Sequence, residues 1–161
     1  MSSWAIRHAT VSDVDDIVII EDSQFPEPWS RGMLVDELTN AANRRFTVVE
    51  IDRTVVGFLG LMYVLKDEMH INTLGVRPGF ESRGIATALL TDGFSDARSR
   101  GIERATLEVA ASNTRAHQLY YRFGFKPVGV RKRYYEKTGE DALILWAELE
   151  DLVVPTTPTD S

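Results

Sequence analysis

A strand, a glycine-bearing turn, a helix and a second strand follow one another directly in the middle of the sequence, and this order constrains the fold more than any other feature. Residues 69–76 are predicted to form the first strand. Apolar side chains then recur at three- and four-residue spacing from about residue 83 to residue 100, which predicts an amphipathic helix that ends at Gly101. This stripe consists of Ala86, Leu89, Leu90, Phe94 and Ala97. Because strand–helix–strand crossovers are almost always right-handed, the strand over residues 105–110 is expected parallel to the first.

The segments on either side predict an antiparallel arrangement. Strands are expected at residues 4–9, 46–50, 55–64, 125–133 and 142–149, with Asp52-Arg53 as a hairpin link. Helices are expected after the capping segment Thr10–Asp13, after Ser30, and over residues 113–123 with closure at Gly124. The sequence therefore predicts a mixed α/β fold. Its central sheet should have about seven strands, antiparallel at the start and parallel where two central strands splay, with about four flanking helices.

Composition indicates the general class of protein. With 43% apolar and 26% charged residues, the 161-residue chain is expected to form one globular domain over residues 1–152, followed by a disordered tail at 153–161. No apolar run approaches the roughly 20 residues that cross a bilayer. The first residues also lack the basic and then apolar order of a signal peptide. A cytoplasmic protein with no membrane partner is therefore expected.

Charge and the available residue types narrow the chemistry. A net charge of −6 opposes direct nucleic-acid binding and favours a cationic substrate, although solubility alone also accounts for many acidic surfaces. Cysteine is absent, which excludes disulfides and thiolate nucleophiles. His8, His70 and His117 show no metal-ligand spacing, so no metal is expected. The chain is expected to be a monomer or a weak oligomer.

The turn between the central strand and helix has the features of a phosphate-binding site. Amides at a helix start point in one direction, and the helix dipole adds positive potential there. Gly84 and Ala86 let phosphates approach the backbone, while Arg83 can add a charge-assisted hydrogen bond. The alternative is an ordinary strand-to-helix loop that contains a glycine. Gly75, in the preceding strand, is expected either to mark a bulge that splays the strand or simply to be tolerated there.

These segments resemble those of a known enzyme family. Val76-Arg77-Pro78 followed by Ser82-Arg83-Gly84-Ile85-Ala86 resembles the acetyl-CoA motif of the GNAT superfamily, with Glu81 as a departure at the first motif position. Residues 107–113, Ala116 and residues 119–125 resemble its downstream motif. Residues 25–30, 131–135 and 140–142 resemble the flanking motifs of the ribosomal-protein alanine acetyltransferases. The resemblance implies a GNAT fold and transfer of an acetyl group from acetyl-CoA to the N-terminal amine of a protein, with a ribosomal protein as the expected substrate.

The resemblance also implies a cofactor-binding set. The backbone of Leu74, Gly75 and Val76 should pair with pantetheine, with the Val76 amide as oxyanion donor. The pyrophosphate should lie against Ser82, Arg83, Gly84, Ile85, Ala86 and Thr87. Asn113 should bond to pantetheine or stabilise the site, and its position also suits a helix N-cap.

Two side chains are candidates for acid–base chemistry. Strand alternation turns Glu108 away from the apolar face of Leu107 and Val109, so its carboxylate can take the ammonium proton through water. The alternative is a solvent-facing glutamate. Tyr120 lies on the apolar stripe of its helix and can donate a proton to the departing thiolate, unless it is only a core tyrosine. Tyr121 is the less favoured donor because it turns away from that stripe.

A peptide groove is predicted from aromatic residues near the two ends of the chain. Phe25, Trp29, Tyr134 and Tyr135 are expected either to wall this groove or to serve only in loop and hairpin packing. The basic run at residues 131–133 is interpreted as a solvated strand edge. Two other functions remain open at this stage: acetylation of a small-molecule amine, and non-catalytic CoA binding.

Overall fold

The computed structural model describes residues 4–155, which form a seven-stranded mixed sheet with four α-helices. The strands are β1 (Ala5–His8), β2 (Arg44–Ile51), β3 (Thr54–Leu65), β4 (Glu68–Val76), β5 (Arg104–Ala110), β6 (Lys126–Tyr135) and β7 (Glu140–Glu148). The helices are α1 (Val14–Gln24), α2 (Arg31–Thr39), α3 (Ile85–Ser99) and α4 (Thr114–Phe123). The strand order is β1-β2-β3-β4-β5-β7-β6, and only β4 and β5 pair in parallel. The predicted fold class is confirmed.

The helices cover the sheet in two groups. Side chains of α1 and α2 pack on one face, around the stacked rings of Phe46 and Phe58. On the other face, α3 and α4 bury the predicted apolar stripes in the main core. The predicted stripe of α3 is fully buried apart from Phe94, which is 2% exposed. Gly101 and Gly124 follow the last turns of α3 and α4 with φ values of 80° and 114°, a conformation that glycine adopts without strain.

The turns and helix caps in the first third of the chain lie close to their predicted positions. Asp52 and Arg53 both have positive φ, 51° and 64°, which gives the tight hairpin between β2 and β3. Ser30 accepts a hydrogen bond from the Met33 N–H at 3.1 Å and so caps α2. The predicted capping segment before α1 instead contains a 3-10 turn at Val11–Asp13. In it, Asp13 accepts a hydrogen bond from the Thr10 N–H at 2.8 Å.

The parallel strands β4 and β5 pair over a short distance only. Glu68–His70 lie opposite Arg104–Thr106, and no further pairs form between these strands. Residues 71–76 and 107–110 therefore diverge, as predicted, and leave backbone groups on their facing sides without a strand partner.

The predicted bulge at Gly75 is wrong. Gly75 pairs regularly with Phe58, and the register shift lies between Ile71 and Thr73, so Asn72 is the extra residue. Glycine is required at position 75 for a different reason. A Cβ there would lie 2.8 Å from the Phe58 ring and 3.0 Å from the Ile20 Cγ2 atom, closer than packed side chains approach.

The structure describes only the start of the predicted C-terminal tail. The predicted tail at 153–161 lies outside the described residues from position 156 onward. At its start, the Val153 N–H donates a hydrogen bond to the Phe123 carbonyl at 3.0 Å. Among residues 4–155, no helix is long and apolar enough to cross a membrane.

Candidate active site

The divergence of β4 and β5 opens a cleft of about 840 Å³. Its walls come from the two splayed strands, the start of α4, the loop between α1 and α2, and the end of β6. Ten of the predicted site residues line it: Phe25, Trp29, Leu74, Gly75, Val76, Glu108, Asn113, Tyr120, Tyr134 and Tyr135. The predicted phosphate-binding residues 82–87 are not among its lining residues. They follow the turn that contributes Pro78 and Glu81 to the wall.

Glu108 points into this cleft. Leu107 and Val109 are buried in the main core, and the side chain of Glu108 projects to the opposite face, as strand alternation predicted. One of its oxygens, Oε2, lies 2.9 Å from Nε2 of His70. The carboxylate is largely shielded from solvent, with 13% of the side chain exposed. A charged group of this kind is stabilised by its hydrogen-bond partners.

His70 in turn contacts the bulged residue of β4. Its Nδ1 atom lies 2.6 Å from Oδ1 of Asn72. Burial acts to lower the pKa of His70, but the hydrogen bonds to Glu108 and Asn72 outweigh burial and raise it above its usual value. The bond with His70 holds the pKa of Glu108 below its usual value, against the opposing effect of burial. Glu108 and His70 are thus an ion pair whenever His70 carries its proton.

The other side of Glu108 faces β6. The Arg131 Nε atom lies 4.0 Å from Oε1 of Glu108, and the nearby Tyr134 hydroxyl also acts to lower the pKa of this carboxyl group. On a regular strand Arg131 and Tyr134, three residues apart, would face opposite sides. However, β6 contains a register shift between Arg131 and Tyr135, and Arg133 within it has a φ of 50°. This irregularity brings Arg131 and Tyr134 to the same side, near Glu108. Arg131 lies on the edge strand β6 with 57% of its side chain exposed, so the predicted solvated strand edge is confirmed, and Arg131 in addition makes this long contact with Glu108.

Tyr120 lies on the α4 side of the cleft, in apolar surroundings. Its ring packs edge-on against Phe125, with centroids 5.5 Å apart. Burial raises the pKa of the phenol far above its usual value, and no hydrogen bond to its hydroxyl is found within residues 4–155. The group is therefore protonated at neutral pH and available to a ligand. The neighbouring Tyr121 is 42% exposed and lies outside the cleft lining.

The start of α3 has space beside its backbone. Its N-cap is Gly84, with a φ of 82° and no side-chain cap. A Cβ at Gly84 would have no atom within 4 Å, so the space beside this residue is free of other protein groups. The side chains of Ile85 and Ala86 are fully buried beneath it. The helix terminus therefore presents backbone rather than side chains, as an anion site of this kind requires.

Two charged residues belong to the turn before α3. The Arg83 guanidinium lies over the Phe80 ring, 4.8 Å from its centroid. Glu81 accepts a hydrogen bond from the Gly79 N–H at 2.9 Å, so its carboxylate is held within its own loop. This contact accounts for an acid at the first motif position, where the sequence departs from the resembled family.

Asn113 caps α4. Its side-chain oxygen accepts a hydrogen bond from the Ala116 N–H at 3.1 Å, which confirms the predicted N-cap. The amide nitrogen of the same side chain makes no hydrogen bond within the described part of the chain, and the residue lines the cleft. One side chain is thus placed to cap the helix and to contact a ligand.

A buried carboxyl group anchors the loop that carries Phe25 and Trp29. Glu21 is fully buried and accepts hydrogen bonds from the Trp29 N–H at 2.9 Å and from the Thr73 hydroxyl of β4. The same loop also reaches across the cleft. Glu27 accepts a hydrogen bond from the Lys137 N–H at 3.1 Å, which joins it to the β6–β7 turn.

Sequence reasoning missed four of these residues: Glu21, His70, Asn72 and Thr73. Alternation in β4 would have identified His70, because its neighbours Met69 and Ile71 are buried on the α3 side while Glu108 faces the other way on the adjoining strand. Within residues 4–155, no group of three or more His, Asp or Glu side chains is arranged to hold a metal ion.

The chain was compared with known proteins. The profile of the Acetyltransferase (GNAT) family matches residues 14–125. A ribosomal protein bS18-alanine N-acetyltransferase of Haemophilus ducreyi is 32% identical over 136 residues, which cover 83% of this chain and 92% of that protein. The crystal structure of the ribosomal-protein-S18-alanine N-acetyltransferase from Escherichia coli superposes with a TM-score of 0.82 at 26% identity, covering 91% of this chain and 94% of that one.

A further solved structure has a ligand in it. Arabidopsis thaliana NAA60 in complex with acetyl-CoA gives a TM-score of 0.80 at 19% identity, covering 92% of this chain and 99% of that one. At this level of identity the match concerns the fold, which in that protein accommodates acetyl-CoA.

Proposed function

Because the chain belongs to the acetyltransferase (GNAT) family, we propose that it transfers the acetyl group of acetyl-CoA to the N-terminal α-amine of a protein. The relatives named for ribosomal protein bS18 favour an N-terminal alanine of a ribosomal protein as the substrate. The observation that carries the proposal is the cleft itself. Its walls include both the unpaired edge of β4 and the carboxylate of Glu108, flanked by the aromatic side chains of two loops.

The chain's own groups suit acetyl-CoA as co-substrate. Residues 71–76 of β4 lack a strand partner on the cleft side, so their backbone can pair with the amides of a pantetheine arm. The N-terminus of α3, at residues 82–87, would hold the pyrophosphate. The amide nitrogen of Asn113 would add one hydrogen bond. When bound, acetyl-CoA supplies an activated acetyl thioester.

Glu108 is the proposed general base. An α-ammonium group must lose a proton before its nitrogen can attack a carbonyl carbon. The Glu108 carboxylate faces the cleft and would take that proton through a water molecule, while its negative charge attracts the cationic substrate. The Val76 N–H would stabilise the oxygen on which charge develops.

Tyr120 is the proposed general acid. Its raised pKa keeps the phenol protonated, and the hydroxyl is free of hydrogen bonds to the described protein residues. It would donate its proton to the CoA thiolate as that group leaves. Aromatic side chains of Phe25, Trp29, Tyr134 and Tyr135 would contact the first residues of the peptide.

A mass-spectrometric assay tests the proposal. The chain is incubated with acetyl-CoA and short peptides that differ only at residue one, with an N-terminally blocked peptide containing lysine, and with a small-molecule amine. Acetylation of the free N-terminus, strongest for alanine, is expected. Acetylation of only the lysine or the small amine would refute the proposed substrate. Binding of acetyl-CoA without acetylation of any of these substrates would instead support a non-catalytic CoA-binding protein.

A further inference from the structure

His70 lies where it can share a proton with the proposed base. Its Nε2 atom is 2.9 Å from Oε2 of Glu108, and both side chains line the cleft. This contact lies where the pairing of β4 with β5 ends. His70 is in the last residue pair, opposite Thr106, and Glu108 lies two residues further along β5. The contact is therefore fixed by the sheet and not by a loop.

Asn72 determines the tautomer of the neutral His70 ring. The Asn72 carbonyl oxygen, at 2.6 Å, accepts a hydrogen bond from Nδ1–H. In the neutral imidazole only one nitrogen carries hydrogen, so this bond makes Nε2 the nitrogen that gains and loses the titrating proton beside the carboxylate. That neutral state is poised to accept a proton.

We propose that His70 and Glu108 act as one proton-accepting unit, in which Glu108 receives the proton of the substrate ammonium group and His70 carries it. The N–H bond of the ammonium breaks, the proton passes through water to Glu108, and a new N–H bond forms at Nε2 of His70. The unit begins as carboxylate and neutral imidazole and ends as carboxylate and imidazolium. His70 acts through Glu108 and is therefore a positioning and proton-carrying residue. This inference rests on the proposed acetyl transfer.

The charges around the pair favour this division of roles. Glu108 is faced by His70, Arg131 and Tyr134, all of which stabilise its ionised form and make it a weak base. His70 is faced by Glu108 on β5 and by Asn72 and Glu68 on its own strand, all of which stabilise the imidazolium. A base is most effective when its pKa lies near the working pH, and a histidine raised above 6.5 meets that condition better than a glutamate lowered below 4.5.

The first test measures the His70 titration directly. The chain has three histidines, so in NMR spectra recorded against pH the imidazole signals of His70 are identified by their loss in the His70→Gln variant. In the wild type, His70 is expected to titrate above 6.5. In the Glu108→Gln variant the pKa of His70 should fall, because the charge of Glu108 no longer offsets the effect of burial. An unchanged His70 titration in Glu108→Gln would overturn the proposed coupling, and this result does not depend on any activity.

The second test uses kcat at saturating peptide across the pH range around neutrality. Wild-type kcat should fall on the acid side as His70 becomes protonated. His70→Gln should lower kcat at least about tenfold and lose this limb, since acid–base assistance is typically worth about 10²- to 10⁴-fold. His8→Gln, at an exposed histidine outside the cleft, is the matched control and should retain the wild-type profile. A His70→Gln profile parallel to the wild type would refute the role of His70 and leave the proposed function intact.

A third variant moves the same limb in the opposite direction. Asn72→Asp places a carboxylate beside Nδ1–H and should raise the His70 pKa further, which shifts the acid limb of kcat to higher pH. No shift in either the NMR titration or the kcat profile would contradict the role assigned to Asn72. Absence of peptide acetylation in the wild type would refute the proposed function, while the NMR titration would still decide whether His70 and Glu108 are coupled.

Discussion

The carboxyl group of Glu21 accepts a hydrogen bond from the Trp29 N–H at 2.9 Å, although the side chain of Glu21 is fully buried. A second hydrogen bond, from Thr73, joins the same carboxyl group to β4. The peptide-facing loop and the strand proposed to hold acetyl-CoA therefore share one anchor.

The first prediction concerns this anchor. Glu21→Leu should lower the free energy of unfolding by about 1–3 kcal/mol, because it leaves the Trp29 N–H and the buried Thr73 hydroxyl without their partner. It should also raise the KM for peptide more than that for acetyl-CoA, since the Trp29 loop loses its support. Glu21→Gln, which keeps an acceptor oxygen, is the control and should change both quantities less. Equal stability of the Leu and Gln variants in urea titrations would contradict this account.

Glu21 also gives a pH dependence of stability. Burial raises its pKa in the folded state above the usual value of 4.5. For such an acid the folded state binds more protons than the unfolded state, so its contribution to stability is full below the unfolded pKa and is lost as pH rises through the folded pKa. Urea titrations at about pH 4 and about pH 7 should therefore show that Glu21→Gln reduces this loss relative to the wild type.

The second prediction concerns Gly75. Gly75→Ala should destabilise the fold by about 1–3 kcal/mol, because the new methyl group would overlap the buried ring of Phe58. Gly32→Ala is the matched control. Gly32 lies in α2, and the atom nearest to a Cβ there is the Ser30 hydroxyl oxygen at 4.0 Å, so the change should be neutral or slightly stabilising. Similar unfolding midpoints for both variants would show that Gly75 is not limited by packing.

The third prediction separates phosphate approach from backbone strain at the start of α3. Gly84→Val should nearly abolish acetyl-CoA binding measured by calorimetry, because it adds side-chain atoms where the helix terminus is open. Gly101→Val is the control, since Gly101 has nearly the same φ, 80° against 82°, and also has no atom within 4 Å of a Cβ. It should carry the same strain but retain binding. Arg83→Ala should weaken binding only moderately. If both valine variants lost acetyl-CoA affinity equally, the pyrophosphate would not bind at this position.

The fourth prediction separates the proposed base from the proposed acid by pH. An α-amine has a pKa near 7.7 to 8.0, so mildly alkaline solution supplies neutral substrate without a base. Glu108→Gln should lose most activity near neutrality and recover part of it as pH rises. Tyr120→Phe should keep its defect across the same range, because higher pH does not provide a proton for the thiolate. Both should bind acetyl-CoA nearly as well as the wild type. Full activity of Glu108→Gln at pH 7 would require another base.

Features that depend on local periodicity could be predicted from the sequence. The buried stripe of α3, its closure at Gly101, the Ser30 cap and the direction of Glu108 all follow from spacing within a single element. The structure bears each of them out. Alternation would have identified His70, but the residues of β4 from Asn72 onward could not be predicted in the same way. The extra residue at Asn72 reverses the alternation, so that Ile71 packs on the α3 side while Thr73 reaches Glu21 on the α1 side.

A similar limit applies to β6. A regular strand would separate Arg131 from Tyr134, and the positive φ of Arg133 that brings both toward Glu108 occurs at a residue type that rarely adopts it. Irregular backbone of this kind is set by the tertiary structure, here partly by the hydrogen bond from the Arg133 N–H to Asp141 at 2.9 Å. Composition and spacing contain no signal for it.

The brief pairing of β4 with β5 has a thermodynamic consequence. Only three residue pairs join these strands, so the facing N–H and C=O groups further along depend on water or a ligand for their hydrogen bonds. A ligand that supplies amides at strand spacing exchanges those bonds for directional ones, with little apolar surface removed from water. Recognition along this edge should therefore contribute favourable enthalpy and only a small change in heat capacity, in contrast to the burial of an apolar group in a pocket.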